Sequence, residues 1–234
     1  MRIKNSEKRL KQFWGKVDQK HIKSFFPFIK GPEILDVGCS NGSTTHHIAT
    51  NSSWKCTGID YEEEAITGAR KLFPSCNFLK ADGENLPFEN QRFNTIILRD
   101  VLHHLYKEAD FKKVFSELNR VAAPNATLII VDPNVIFILK LMHKILKHHD
   151  PECSYKDACI IMQKLGYHIT QNKFNTLFSL PLSGGYIGIN FVPNISVLHS
   201  LLLFTEKVSE VILKALGLGR FFCLRYLVVG EKSN

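Results

Sequence analysis

The sequence lacks the marks of several large protein classes. No segment repeats another, and no tract is low in complexity. Near the C-terminus the longest apolar run, Ile195 to Phe204, is broken by Ser196, His199 and Ser200. It falls well short of the roughly 18 residues that a membrane-spanning helix needs. The opening stretch MRIKNSEKRLKQFW has no apolar centre of signal-peptide type, so export is not expected. The six cysteines (Cys39, Cys56, Cys76, Cys153, Cys159 and Cys223) are scattered, with no C-x-x-C pair. That argues against a zinc ribbon and against a redox dithiol, and no metal site is expected. Reduced, mostly buried thiols in the cytoplasm are the better reading.

What is present suits one α/β domain over residues 1–234 with modest additions. A hydrophobic fraction of 44% supports a sizeable core and is too low for a polytopic membrane protein. The net charge of +8 is unevenly spread. Residues 1–30 hold nine Lys/Arg and two Asp/Glu, so nearly all the excess lies there. Such a basic arm is able to meet an anionic membrane surface, a nucleic acid or an acidic substrate; a solvated helical face is the plain alternative.

Residues 5–29 read as helical, with Phe13, Trp14, Val17, Ile22, Phe25, Phe26 and Phe28 on apolar positions. The runs Glu33–Val37, Lys55–Ile59, Asn77–Lys80, Phe93–Leu98 and Ala126–Val131 read as buried strands. Helices are expected at Ser43–Thr50, Glu62–Leu72 and Lys107–Val121. This alternation implies a parallel sheet covered by helices on both faces. Helices at Val135–His149 and Tyr155–Leu165, a strand at Tyr167–Phe174 and a last strand at Phe222–Val229 complete the reading. Between those two strands lies an apolar insertion. It holds Leu180–Gly188 and then a helix with Val208, Val211, Ile212, Ala215 and Leu216 on one face. The organisation is therefore an arm over 1–30, a ligand-binding core over 31–132, a substrate-side elaboration over 133–220, and a strand and tail over 221–234.

The chemistry concentrates in Ile34-Leu35-Asp36-Val37-Gly38-Cys39-Ser40-Asn41-Gly42-Ser43. A strand ends in an acid, and a glycine turn follows where open α/β sheets bind ligands. Glycine lets the backbone approach a ligand closely. No Lys follows Gly42, so this is not a P-loop, and G-C-S-N-G is not the dinucleotide fingerprint. Asp36 beside the turn would repel a pyrophosphate. It suits a ligand with a cationic amino group and a sulfonium, such as S-adenosylmethionine (SAM).

The segment resembles the first motif of class I SAM-dependent methyltransferases, in particular the type 11 branch, whose pattern is D-x-G-x-G-x-G. Asp36, Gly38 and Gly42 match, and Ser40 stands at the middle glycine. Gly58-Ile59-Asp60, then Ala81-Asp82-Gly83-Glu84-Asn85-Leu86-Pro87-Phe88, then the strand ending near Arg99 with His103-His104-Leu105 beyond it, follow in the family's order. The resemblance covers roughly residues 30–132 and returns at 222–231. It implies a Rossmann-like, doubly wound, mostly parallel seven-stranded sheet whose last strand is antiparallel, with N-terminal helices and a helical insertion. It implies SAM as cofactor, with Asp60 accepting the ribose hydroxyls and Asp82 the adenine amino group. A carboxylate suits a vicinal diol because it takes two O–H bonds. Cys39, Ser40, Tyr61, Gly83 and Arg99 join Asp36, Gly38 and Gly42 as expected cofactor neighbours.

Methyl transfer needs alignment above all, because the donor is already activated. Where the acceptor has a high pKa a base is needed, with His104 the first candidate and His103 the second. Trp14 is a candidate to close over the donor, and Tyr186 to line the acceptor site. The apolar insertion points to a hydrophobic small molecule or lipid-like acceptor, and with the arm to contact with an anionic membrane. Nucleic acid is the weaker partner. No N-P-P-[YF]-type motif follows the fourth strand, and Arg99-Asp100-Val101-Leu102 stands there instead. An RNA methyltransferase using the arm and a non-catalytic SAM-binding protein are the rival readings.

Overall fold

The computed structural model describes residues 12–108, 111–134, 153–183 and 191–233, the side chains of 106–108 excepted. The expected helix at Val135–His149, residues 1–11 of the arm and Tyr186 lie outside the described residues.

Seven strands form one sheet: β1 (Glu33–Val37), β2 (Lys55–Asp60), β3 (Asn77–Lys80), β4 (Phe93–Arg99), β5 (Ala122–Pro133), β6 (Tyr167–Asn175) and β7 (Arg225–Lys232). Their order is β3-β2-β1-β4-β5-β7-β6. The first five run parallel, and β7 lies antiparallel to both its neighbours. Among the described residues the helices are α1 (Phe13–Phe25), α2 (Ser43–Asn51), α3 (Glu63–Leu72), α4 (Leu102–Glu108), α5 (Phe111–Val121), α6 (Tyr155–Lys164), α7 (Ser179–Leu182), α8 (Ser196–Ala215) and α9 (Gly219–Phe222).

Alternation along the central strands feeds two cores. Ile34, Ile97, Ile129, Val131, Leu227 and Val229 point to one face, where Ile22 and Phe25 of α1 and Ile48 of α2 cover them. Leu35, Ile96, Leu98, Leu128, Ile130 and Val228 point to the other, against Leu102, Val114, Phe115, Leu118 and Met162. Because side chains alternate across a strand, Asp36 shares the α1–α2 side with Ile34. That places a carboxylate in a dry layer.

From residue 13 onward the basic N-terminal segment is packed on the protein, with the expected apolar positions Phe13, Val17, Ile22 and Phe25 buried. In the stretch 107–121 the described residues are helical as far as Glu108 and again from Phe111 to Val121. The last strand starts at Arg225, not Phe222, because its register is set by Pro133 opposite Arg225 on β5; Phe221 and Phe222 fall in the short turn of α9 and are about half exposed. Finally, the apolar face of α8 carrying Val208, Val211, Ile212 and Leu216 is exposed.

Candidate functional site

The strand order reverses at β1: β2 and β3 continue to one side, and β4 starts the other. A crevice opens at the carboxyl end of such a point, because the loops above the two strands lead away from each other. Asp36, Asp60 and Asp82 sit at or just beyond the carboxyl ends of β1, β2 and β3, which are adjacent strands in register (Val37 opposite Ile59, Asp60 opposite Lys80).

The β1–α2 turn takes three left-handed residues: Gly38 (φ +66°), Ser40 (φ +47°) and Gly42 (φ +79°). Glycine avoids the Cβ clash in that region. Packing enforces the choice as well. A Cβ on Gly38 would stand 2.3 Å from a Val101 methyl, and one on Gly42 2.5 Å from the Phe78 ring. Ser40, at the position where the resembling family carries glycine, holds the strained angle with an exposed side chain. Gly42→Ala is expected to cost about 2 kcal/mol from left-handed strain plus overpacking. Chemical denaturation should read it as a lower midpoint at unchanged slope.

Hydrogen bonds lace this turn to β2. Cys39 N–H donates to the Ile59 carbonyl at 2.8 Å, and Gly42 N–H to the Cys39 carbonyl at 2.9 Å. Ser40 N–H donates to Asp60 Oδ2 at 2.9 Å, and Glu62 N–H to Asp60 Oδ1 at 2.9 Å. Each Asp60 oxygen thus takes one backbone donor and keeps lone pairs for a ligand diol. Asp82 is exposed; its Oδ1 accepts Glu84 N–H at 2.9 Å in the turn that includes Gly83. Ala81 N–H donates to the Asp60 carbonyl at 3.0 Å, which ties this loop to β2. Tyr61, next along from Asp60, is 73% exposed on the lip. Burial pushes the Cys39 thiol far above its usual range, so it is an inert wall of the turn.

Asp36 is only 1% exposed, and its Oδ2 accepts the Thr45 hydroxyl at 2.7 Å. Burial raises its pKa to about 6, against the opposing pull of the Thr45 hydrogen bond and the Arg99 charge. A buried carboxylate held so far up is stabilised by any cation brought beside it. SAM carries such cations in its amino group and its sulfonium. A buried acid wanting positive charge, a half-exposed acid with free lone pairs and an exposed acid on the third strand end match amine, diol and base amino group.

Arg99 lies behind the turn and ties its surroundings together. Its Nη2 lies 2.7 Å from Asp18 Oδ1 and 3.4 Å from the Ser43 hydroxyl, so it pins α1 and the start of α2 to β4. Its Nη1 is buried with no hydrogen-bond partner among the described residues. Trp14 stands one turn before Asp18 on α1 and is half-buried. The i, i+4 spacing puts it on the same helix face.

The two histidines separate clearly. His103 is buried, with Nδ1 2.9 Å from Asp132 Oδ1 and its backbone N–H 3.1 Å from Asp132 Oδ2. His104 is exposed, its ring 4.2 Å from that of His103. The geometry of an oriented base belongs to His103, with Asp132 as the orienting carboxylate. Asp132, Asp18 and Thr45 are site residues that sequence reasoning did not find. Asp132 closes the apolar run of β5, where an acid at a strand end was the available signal.

Residues 29–180 match a family model described as a methyltransferase domain. A demethylmenaquinone methyltransferase of Chlorobaculum tepidum is 26% identical over 123 residues, which is 53% of this chain and 50% of that protein. A probable tRNA methyltransferase 9B of Mus musculus is 32% identical over 100 residues, 43% of this chain and 21% of that protein. The matched stretch thus spans half or less of either relative. The crystal structure of a SAM-dependent methyltransferase from Archaeoglobus fulgidus superposes with a TM-score of 0.65 at 17% identity, covering 93% of this chain and 94% of that one.

Proposed function

Because this chain belongs to the methyltransferase-domain family of class I SAM-dependent methyltransferases, we propose that it transfers the methyl group of SAM to a small, hydrophobic, lipid-like acceptor. The observation that carries the reading is the row of three carboxylates at adjoining strand ends, one buried, one half-exposed and one exposed. Asp36 faces the amino group, Asp60 the ribose diol and Asp82 the adenine amino group. Tyr61 flanks the base from the lip, and Trp14 covers the donor from α1. Bound SAM would supply an activated methyl carbon for in-line attack by the acceptor, with the neutral thioether S-adenosylhomocysteine as the leaving group. The chain's own residues supply alignment and exclusion of water.

In this reading His103 takes the acceptor's proton and Asp132 holds its ring. His103→Gln is expected to lower turnover by about tenfold, near or below the low end for general bases because the donor is already activated, and to leave SAM binding unchanged. A pH–rate profile that keeps its acid limb in His103→Gln would remove His103 from this role.

The support for a lipid-like acceptor is the apolar, outward-facing surface of the elaboration after β6. The relative from Chlorobaculum tepidum, named for demethylmenaquinone, adds to it. No helix among the described residues is long and apolar enough to cross a membrane. We place the reaction in the cytoplasm, with the enzyme drawing its acceptor from an anionic membrane surface. Incubation with methyl-labelled SAM and fractionated cell extract tests this. Label in the organic-extractable fraction is expected. Label in RNA would replace the acceptor with nucleic acid, as the name of the mouse relative suggests, and donor binding without any labelled product would make the chain a SAM-binding protein.

A further inference from the structure

We propose that α8 docks this protein onto an anionic lipid bilayer through the face bearing Val197, Leu201, Phe204, Val208, Val211 and Ile212. This deepens the lipid-like acceptor reading and rests on it for its purpose, not for the docking itself.

These six side chains are between 42% and 78% exposed. Their spacing places them in one stripe about 100° wide along a helix of 20 residues. A surface helix normally turns such a stripe inward. α8 does the reverse, and hydrogen bonds hold it so. Glu206 is fully buried, and its Oε1 accepts the backbone N–H groups of Leu177, Phe178 and Ser179 at 2.8, 3.0 and 2.8 Å. Its Oε2 pairs with Lys20 and accepts the Ser179 hydroxyl at 2.6 Å. Glu210 Oε1 accepts Lys20 Nζ at 2.8 Å and Thr176 N–H at 2.6 Å. Rolling the apolar stripe into the protein would break every one of these bonds. Leu216, Phe221 and Phe222 extend the exposed apolar surface past the helix end.

Charge selects the occupant. Between Phe191 and Phe222 the only acids are Glu206 and Glu210, and both are spent inward. Lys207, Lys214 and Arg220 stay exposed. An apolar stripe edged by cations with no exposed acid is the pattern of a helix lying in an anionic membrane interface. The sequence before α1 is basic as well. Residues 1–11 carry five Lys/Arg and one Glu. At the start of α1 the Phe13 ring lies 4.9 Å from that of His199, and Lys16 Nζ donates to the Ser196 hydroxyl at 3.0 Å. Ser196 and His199 form the first turn of α8. A second copy seated on the same face would set two basic rims against each other, so a bilayer is the better complement.

The test uses the full chain without SAM, cosedimented with vesicles of phosphatidylcholine alone or with about 30% phosphatidylserine, a density that gives a negative surface potential. Binding should favour the anionic vesicles by about tenfold or more, and weaken in high salt. The Phe204→Ser, Val208→Ser double variant should lose about tenfold or more in partitioning, since both side chains are removed from the membrane contact. Both positions are exposed, so its circular dichroism and thermal midpoint should match the parent, and its SAM titration should be unchanged. Absence of anionic preference, or equal binding by the double variant, would overturn the proposal. So would a parent dimer in sedimentation equilibrium that the double variant dissolves while neither binds vesicles, which would assign the face to a second copy. Vesicle binding with no SAM uptake would instead strike the donor-site reading and leave the docking standing.

Discussion

Asp36→Asn is expected to weaken SAM binding by about 100-fold, the loss of one charge-assisted contact to a cation in a dry site. The same change should leave the ligand-free protein no less stable at pH 7.5. The reason lies in the sign of the pKa shift. Burial raises the folded-state value to about 6 from 3.8, partly resisted by the Thr45 hydrogen bond. A carboxyl group whose folded value is raised is penalised when ionised, so the fold bears a cost of about 3 kcal/mol above pH 6 that fades as pH falls from 6 towards 3.8. Asparagine keeps an acceptor for Thr45 and removes that cost, although its buried amide N–H groups take some of it back. SAM affinity in the parent should drop as pH falls through about 6, because the proton and the ligand's cation compete for one carboxylate. Calorimetry in two buffers of different ionisation enthalpy should reveal proton release on binding near pH 6. If Asp36→Asn binds SAM as the parent does at pH 7.5, the cation is held elsewhere.

Glu206→Ala is expected to cost about 3 kcal/mol and to lower the thermal midpoint by roughly 10 °C in a chain of this size. Removing the carboxylate strands three backbone N–H groups, the Ser179 hydroxyl and part of the bonding of Lys20 at once. Lys20 is 22% exposed, so water and Glu210 recover some of its loss, which sets the figure at the low end for a broken buried pair. Glu206→Gln keeps an oxygen acceptor for the three N–H groups and should lose less. The pH dependence is opposite to that of Asp36. Burial raises the Glu206 value, but Lys20 and the Ser179 bonds outweigh it and the net shift is downward. A depressed carboxyl group adds stability that is fully present above its unfolded value, near 4.5, and is lost as pH falls through its folded value. Acid melts of parent and Glu206→Ala should therefore draw together as pH falls below 4.5 and on through the folded-state value. Parallel curves would deny Glu206 an ionised role.

The contrast between these two acids shows what could be read in advance. Asp36 was legible because its neighbours in sequence, Val37 to Gly42, are its neighbours in space. The same holds for Asp60 and Asp82, each at a strand end followed by a short turn. Glu206 was not legible: its partners lie 27 to 186 residues away, and no local pattern names them. Asp18 with Arg99 and Asp132 with His103 were hidden for the same reason, at separations of 81 and 29 residues. The apolar stripe of α8 was visible as a period. Its direction was not, because a stripe fits a core and a membrane interface equally until the inward partners of Glu206 and Glu210 are known. The last strand was misplaced by three residues, since Phe221 and Phe222 extend a strand-like run into a turn. Register with β5 decides the boundary, and a single sequence does not carry it.

Titration calorimetry of SAM into the parent and into Asp60→Ala addresses the crevice itself. Asp60 is half-exposed and accepts only two backbone N–H groups, so the variant should fold. One SAM per parent chain, and binding weakened at least tenfold in Asp60→Ala, is the expected pair of results. No heat from the parent with either SAM or its demethylated product would contradict the account.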